Sequence, residues 1–125
     1  MKRTLTAIAA TLSLSLAGGP ALAHSDEKPA HGGRLVEAGQ HHLELTVKQT
    51  DVDVYVTDAA NKAISASGVK GFALFTIDGK TVRVPLAYTS DNRLTGKSDA
   101  ALPAKVKGVV QITLPDGKSA QGKFN

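Results

Sequence analysis

Apolar and polar residues alternate along most of the chain from residue 41 onward. In "HLELTV", Leu43, Leu45 and Val47 fall on one face, while the polar residues between them fall on the other. The segments "DVDVYVTD", "TVRVPLAY" and "VVQITL" repeat this period of two, which is typical of half-buried antiparallel strands. The pattern predicts strands at residues 34–37, 42–48, 51–57, 63–66, 70–77, 81–88, 93–96, 106–114 and 118–124.

The residues between these segments favour tight turns. Ile77–Lys80 and Pro115–Lys118 each contain Asp-Gly, the strongest short signal for a β-hairpin. Pro85 cannot donate to a sheet ladder, so its strand is predicted to be an edge strand or to carry a bulge. The more uniformly apolar "GFALFTI" predicts a strand covered on both faces. No helical apolar stripe occurs after the first 23 residues, and we therefore expect an all-β fold, a single antiparallel β-sandwich of two sheets over residues 34–125.

The first 23 residues have the pattern of a cleaved signal peptide. Lys2 and Arg3 precede an uncharged apolar run from Leu5 to Ala17, and Ala21-Leu22-Ala23 has the small-x-small form of a signal peptidase site. The apolar run is shorter than the roughly 20 residues that a membrane-spanning helix needs. The sequence predicts cleavage after Ala23 and a periplasmic protein with no membrane span in its mature chain.

The predicted mature chain, residues 24–125, forms a flexible arm at 24–33 and the β-sandwich at 34–125. Without Lys2 and Arg3 it has 13 basic and 11 acidic residues, a net charge of +2. This balance, with few aromatic residues and no basic cluster, argues against nucleic acid as a partner. The chain has no cysteine and its one methionine is Met1, so a transition metal would need imidazole, carboxylate, backbone or water ligands, which suit Cu(II), Zn(II), Ni(II) or Co(II).

All four histidines lie within the first 42 residues: His24, His31, His41 and His42. A short histidine-rich tract with carboxylates, in an exported chain without cysteine, indicates metal binding. If cleavage follows Ala23, His24 carries a free α-amine beside its imidazole, and the two nitrogens together chelate Cu(II) well. The alternative interpretation is that His24 stands there only because the signal peptide ends there.

The other candidate ligands differ in how well the sequence places them. His42 and Glu44 are two residues apart on a predicted strand, so both side chains leave the same face and one ion could contact both. His31 precedes Gly32-Gly33, which allow the arm to turn back toward this face. His41 points toward the core or lies in the preceding turn, and an ordinary strand-end histidine is its preferred interpretation, although it stays among the candidate ligands.

The segment "HGGRLVEAGQHHLELTVKQTDVDVYVTDAANKAI" resembles the His-Gly-Gly…His-x-Glu pattern of small bacterial periplasmic proteins. The same pattern is similar to the N-terminal regions of adaptor subunits of heavy-metal efflux pumps. This resemblance implies an immunoglobulin-like fold and the binding of copper or zinc for buffering, delivery or resistance. It implies His31, His42 and Glu44 as ligands, and a metal-efflux pump or another envelope protein as a partner of a monomeric domain.

Two other functions compete with metal binding as interpretations of the sequence. The main alternative is a metal-indifferent β-sandwich that serves as an interaction or accessory module of the cell envelope and pairs an open edge near Pro85 or the C-terminal strand with a partner. An enzyme is not expected, because no histidine after His42 can act as a base for a serine or threonine. Asp51 and Asp53 are interpreted as part of a solvated face. A copper-dependent oxidase built on His24 is disfavoured by the scarcity of aromatic residues.

Overall fold

The computed structural model describes residues 28–125 and contains eight β-strands in that part of the chain. The predicted signal peptide and His24 lie outside the described residues. The strands agree closely with the predicted segments, with one exception. Residues 63–66 do not form a strand, and only an isolated bridge joins Ala63 to Thr57. The strands are β1 Arg34–Ala38, β2 His41–Lys48, β3 Asp51–Asp58, β4 Lys70–Ile77, β5 Lys80–Ser90, β6 Arg93–Lys97, β7 Lys107–Thr113 and β8 Ser119–Phe124.

The eight strands form one antiparallel sheet in the order β1-β2-β3-β6-β5-β4-β7-β8. This sheet curls until its two outermost strands lie side by side, so that it nearly closes into a barrel. A Cβ atom built on Gly122 of β8 would stand 2.7 Å from Cγ2 of Val36 on β1, which shows how closely the strands approach. Arg34 adds to the closure by donating to the carbonyl oxygens of Val106 and Asn125.

The all-β prediction is confirmed, whereas the predicted sandwich of two separate sheets is not what the strand pairing gives. One strand explains the continuity. From Lys80 to Leu86, β5 pairs with β4, and from Ala87 onward it pairs with β6 across a bulge near Tyr88 and Ser90. Pro85 lies just before this change of neighbour, where a residue without an N–H disturbs the ladder least. Because β5 pairs with both β6 and β4, it joins the wall formed by β1, β2, β3 and β6 to the wall formed by β4, β7 and β8 without a break in the sheet.

The core lies between the two walls and follows from the alternation of the sequence. Glu44 of β2 faces away from this core between Leu43 and Leu45, yet it is buried as well. The prediction that "GFALFTI" is covered on both faces is wrong, because Leu74 is 36% exposed on the outer face of β4. The largest fully buried side chains are those of Phe75, Phe124, Leu43, Leu45, Leu94, Ile112, Val52, Val54, Val56, Val84, Val106 and Val110.

The predicted hairpin turns are present. At the β4–β5 turn, Asp78 and Gly79 have φ angles of 50° and 77°. Two successive positive φ values define the type I′ turn that Asp-Gly favours, because its twist matches that of the flanking strands. Among the described residues, no helix is long and apolar enough to cross a membrane.

Candidate metal site on the outer face of β1, β2 and β3

A buried carboxylate marks the centre of the candidate site. Glu44 projects from β2 away from the core, with Leu35 of β1 and Tyr55 of β3 as its neighbours in register. An outward-facing glutamate on a sheet is normally solvated, yet the side chain of Glu44 is only 4% exposed. It is covered because residues 28–33, the described end of the predicted arm, fold back over this part of the sheet.

Three hydrogen bonds hold the arm to Glu44, and we call them the arm latch. The backbone N–H groups of His31 and Gly33 both donate to Oε2 at 2.9 Å, and Nδ1 of His31 lies 2.8 Å from Oε1. Gly33 is suited to this position because a Cβ there would collide with the carbonyl oxygen of Leu45 and stand 2.8 Å from Cγ2 of Thr46. The missing side chain therefore lets the arm approach β2 closely.

The imidazole of His31 is fixed from two directions. Its ring lies flat on the ring of Tyr55, with a centroid distance of 3.5 Å and an interplanar angle of 9°. Because a carboxylate only accepts hydrogen bonds, the proton between Nδ1 and Oε1 belongs to the imidazole. The lone pair of the neutral ring is then on Nε2. The His31 side chain is 40% exposed, so this nitrogen belongs to a ring that solvent can reach.

His42 lies two residues before Glu44 on the same face of β2 and forms a second histidine–carboxylate pair. It is in register with Glu37 of β1, and its Nε2 lies 3.9 Å from Oε1 of Glu37. The His42 side chain is 17% exposed, whereas that of Glu37 is 81% exposed. Within residues 28–125, Nδ1 of His42 is buried without a hydrogen-bond partner. The pair can offer one imidazole nitrogen and one carboxylate oxygen to the same ion.

The predicted ligands are thus only partly brought together. His31 meets Glu44 as the glycine pair predicted, but His42 faces Glu37 instead. His41 begins β2 and lines a separate shallow cleft with Asp58 at the end of the sheet. In the described part of the chain, no three His, Asp or Glu side chains are close enough to share a metal ion.

A cleft beside His31 makes the site accessible to small solutes. It has a volume of about 460 Å³ and lies between the arm and the outer face of β3. One buried polar atom at its wall, Oδ1 of Asn61, has no hydrogen-bond partner among the described residues. The residues that line the cleft are Lys28, Pro29, Ala30, His31, Leu35, Glu44, Tyr55, Thr57, Asn61, Ala63 and Asn92.

Tyr55 and Glu37 are the site residues that the sequence analysis missed. Both belong to the polar face of their strands by simple alternation, so the signal was present. The short connection between β2 and β3 brings Tyr55 opposite Glu44, and the connection between β1 and β2 brings Glu37 opposite His42. Extending the predicted strands into hairpins would have placed both beside the histidines.

The two aspartates at the start of β3 have ordinary ionic partners. Asp51 lies 3.8 Å from Nζ of Lys97, and Asp53 lies 4.0 Å from Nε of Arg93. Asp53 also accepts a hydrogen bond of 2.9 Å from Thr95. All of these partners belong to the neighbouring strand β6. These contacts fit the interpretation that this pair is part of a polar strand face.

The chain matches no known protein-family model, and no curated protein or solved structure is significantly similar to it. The resemblance to periplasmic metal-handling proteins therefore stays a prediction from the sequence motif.

Proposed function

We propose that this protein binds an exchangeable divalent transition metal ion, Cu(II) or Zn(II), in the periplasm, and buffers or delivers it. Nε2 of His31 is the principal ligand. The observation that carries the proposal is the contact between the other ring nitrogen, Nδ1, and the buried carboxylate of Glu44. Metal-binding histidines usually donate their second N–H to a carboxylate or a carbonyl, which fixes the tautomer and raises the basicity of the ligating nitrogen.

Glu44 has a different role from the one that the motif resemblance implies. Both of its oxygens already accept hydrogen bonds, two of them from backbone N–H groups that need a partner at this buried position. A metal ligand here would have to give up these bonds. Glu44 therefore acts as a positioning residue that orients His31. The flat contact with Tyr55 restrains the ring further, so little freedom is lost when an ion binds.

The sparse ligand set favours exchange over permanent binding. Structural zinc sites are closed by four protein ligands, whereas open sites keep positions for water or another ligand. His31 provides one preorganised nitrogen, and His42 with Glu37 provides a second, looser pair. Such sites suit an ion that must be released again. The N-terminal amine and imidazole of His24, if cleavage follows Ala23, would add ligands from the residues outside the described part.

The alternative function, an accessory module that recruits a partner strand, has less support. The free edge of β8 faces β1 within the nearly closed sheet, and Arg34 ties the two together. Strand addition needs an accessible row of backbone donors and acceptors. The finer fold assignment, an immunoglobulin-like sandwich, likewise stays a prediction that goes beyond the all-β sheet described above.

Calorimetric titration with Zn(II) and with Cu(II) tests the proposal. We expect His31→Ala to weaken binding most. Glu44→Gln should weaken it roughly 10- to 100-fold, as loss of an outer-shell carboxylate typically does. His42→Ala should have a smaller effect, and His41→Ala, which begins β2 beside a separate cleft, serves as the control and should have none. Unchanged affinity in both His31→Ala and His42→Ala would refute the proposal.

A further inference from the structure

The four strands on the side opposite the candidate site have an unusual charge distribution. Strands β4, β5, β7 and β8 contain no Asp or Glu, although strands β1, β2, β3 and β6 contain five acidic residues. Of the basic residues in β4, β5, β7 and β8, four point outward and are exposed, and we call the surface they share the cationic face. They are Lys70, Arg83, Lys107 and Lys123.

The strand register places apolar side chains between these cations. Arg83, Leu74, Val109 and Lys123 are direct neighbours across β5, β4, β7 and β8, which gives a row with a cation at each end and two apolar residues between. With strands about 4.8 Å apart, this row spans roughly 14 Å. In the next row, Phe72 lies beneath Arg83, whose guanidinium carbon is 4.4 Å from the ring centroid.

We propose that the cationic face docks on the surface of an anionic phospholipid bilayer. Long cationic side chains that flank apolar ones are the arrangement that membrane-surface proteins use, since the apolar groups reach the acyl boundary while the charges stay among the headgroups. Each Lys or Arg near such a surface strengthens binding about five-fold, so four of them act together with the exposed Leu74.

A lipid surface fits this face better than a protein partner does. All four strands are paired, and the outer edge of β8 faces β1, so a partner cannot add a strand there. The two clefts described for this molecule both lie on the other half, beside His31 and His41. A fluid layer of headgroups needs only the charge and the apolar centre that this face provides.

Vesicle co-sedimentation tests the proposal with the full-length gene product as the host processes it. The protein should bind vesicles that contain phosphatidylglycerol and not vesicles of pure phosphatidylcholine. The double variant Arg83→Glu/Lys123→Glu should bind the anionic vesicles at least about 30-fold more weakly, from roughly five-fold for each lost cation. The double variant Lys48→Glu/Lys62→Glu is the matched control, because it makes the same change in net charge on the other half of the molecule. It has the same N-terminal segment as the first variant, and it should bind nearly as the wild type does.

Three results of the co-sedimentation assay would overturn the proposal. These are failure to bind anionic vesicles, an equal loss in both double variants, or binding that persists in about 1 M salt, where the Debye length is only roughly 3 Å. A spectroscopic variant adds an independent readout, because the chain contains no tryptophan. The fluorescence of Leu74→Trp should shift to the blue with anionic vesicles. A shift that fails to appear, or capture of an acidic protein without vesicle binding, also contradicts lipid docking.

Discussion

The two halves of the sheet have opposite surfaces although they share one core. On β1, β2, β3 and β6, acidic residues meet histidines and bases in specific contacts, and the arm covers Glu44 completely enough to leave it 4% exposed. On β4, β5, β7 and β8, the outward cations have no acidic neighbour in their own strands, and Leu74 lies open. The first half therefore holds Glu44 and His31 in fixed positions through hydrogen bonds, whereas the second half presents exposed cations over a wide surface.

Burial, rather than residue type, distinguishes the candidate site from the rest of this surface. Glu37 and Glu44 are the same residue type on adjacent strands of the same face, but only Glu44 is desolvated and saturated with donors. A desolvated carboxylate is costly unless it is fully hydrogen-bonded, so the arm and Glu44 depend on each other.

The largest effect is expected from removing the buried carboxylate. Glu44→Ala leaves the N–H groups of His31 and Gly33 without their acceptor, and hydrogen bonds to charged groups contribute about 1.5–3 kcal/mol each. For these two bonds together, we expect the free energy of unfolding in urea to fall by about 3–6 kcal/mol. Glu37→Ala, the matched control, should change it by no more than about 0.5 kcal/mol. Equal effects would show that the latch contributes nothing special.

The second prediction concerns the close approach of the arm to β2. Gly33→Ala introduces a Cβ that collides with the carbonyl of Leu45, and overpacking of this kind costs about 1–3 kcal/mol. It should also displace His31 from Glu44, which amide hydrogen exchange at residues 31 and 33 would detect. Gly32→Ala has open space around its Cβ but a φ of 70°, so only backbone strain of about 1 kcal/mol is expected.

The third prediction compares the two tyrosines. Tyr55→Leu removes the ring beneath His31, and we expect a loss of about 0.5–1.5 kcal/mol in the free energy of unfolding together with weaker Zn(II) binding. Tyr88→Leu changes an exposed ring on β5 and should alter neither quantity. Wild-type Zn(II) affinity in Tyr55→Leu would mean that the stacked ring does not orient the ligand.

The smallest effect on stability is expected on the cationic face. Lys123→Ala should change the free energy of unfolding by less than about 0.5 kcal/mol, because the side chain is exposed and strands β4, β5, β7 and β8 contain no acidic residue that could pair with it. Its partition onto anionic vesicles should nevertheless weaken about five-fold. A large loss of stability would place Lys123 among the groups that hold the sheet together.

Local pattern was enough to predict most of the fold, but not how the sheet closes. The hydrophobic pattern located all eight strands of residues 28–125, although it also predicted a ninth at 63–66, and Asp-Gly located the turn with Asp78 and Gly79 in their positive-φ conformations. The single sheet depends on β5, which pairs with β4 up to Leu86 and with β6 from Ala87 onward. This change of partner is decided by residues far apart in the chain, so no short segment of the sequence predicts it. The exposure of Leu74 was not predicted, because the sequence does not distinguish an apolar residue on an outer face from a core residue.

The candidate site was predictable as far as hairpin register extends. Gly32-Gly33 correctly indicated that the arm turns His31 toward Glu44, because glycine allows both the turn and the close approach. The division between His31–Glu44 and His42–Glu37 was not predicted, since side chains on one face can pair along a strand or across it. Only the position of the folded arm decides that Glu44 is covered and Glu37 is not.

The most direct test is NMR of the ¹⁵N-labelled histidine rings in the folded protein, before and during titration with Zn(II). Before titration, His31 should carry its proton on Nδ1, bonded to Glu44. On addition of Zn(II), Nε2 of His31 should show the largest change among the ring nitrogens of His31, His41 and His42, while the Nδ1–H signal persists. A His31 ring that is protonated on Nε2, or that is unaffected by Zn(II), would contradict the account.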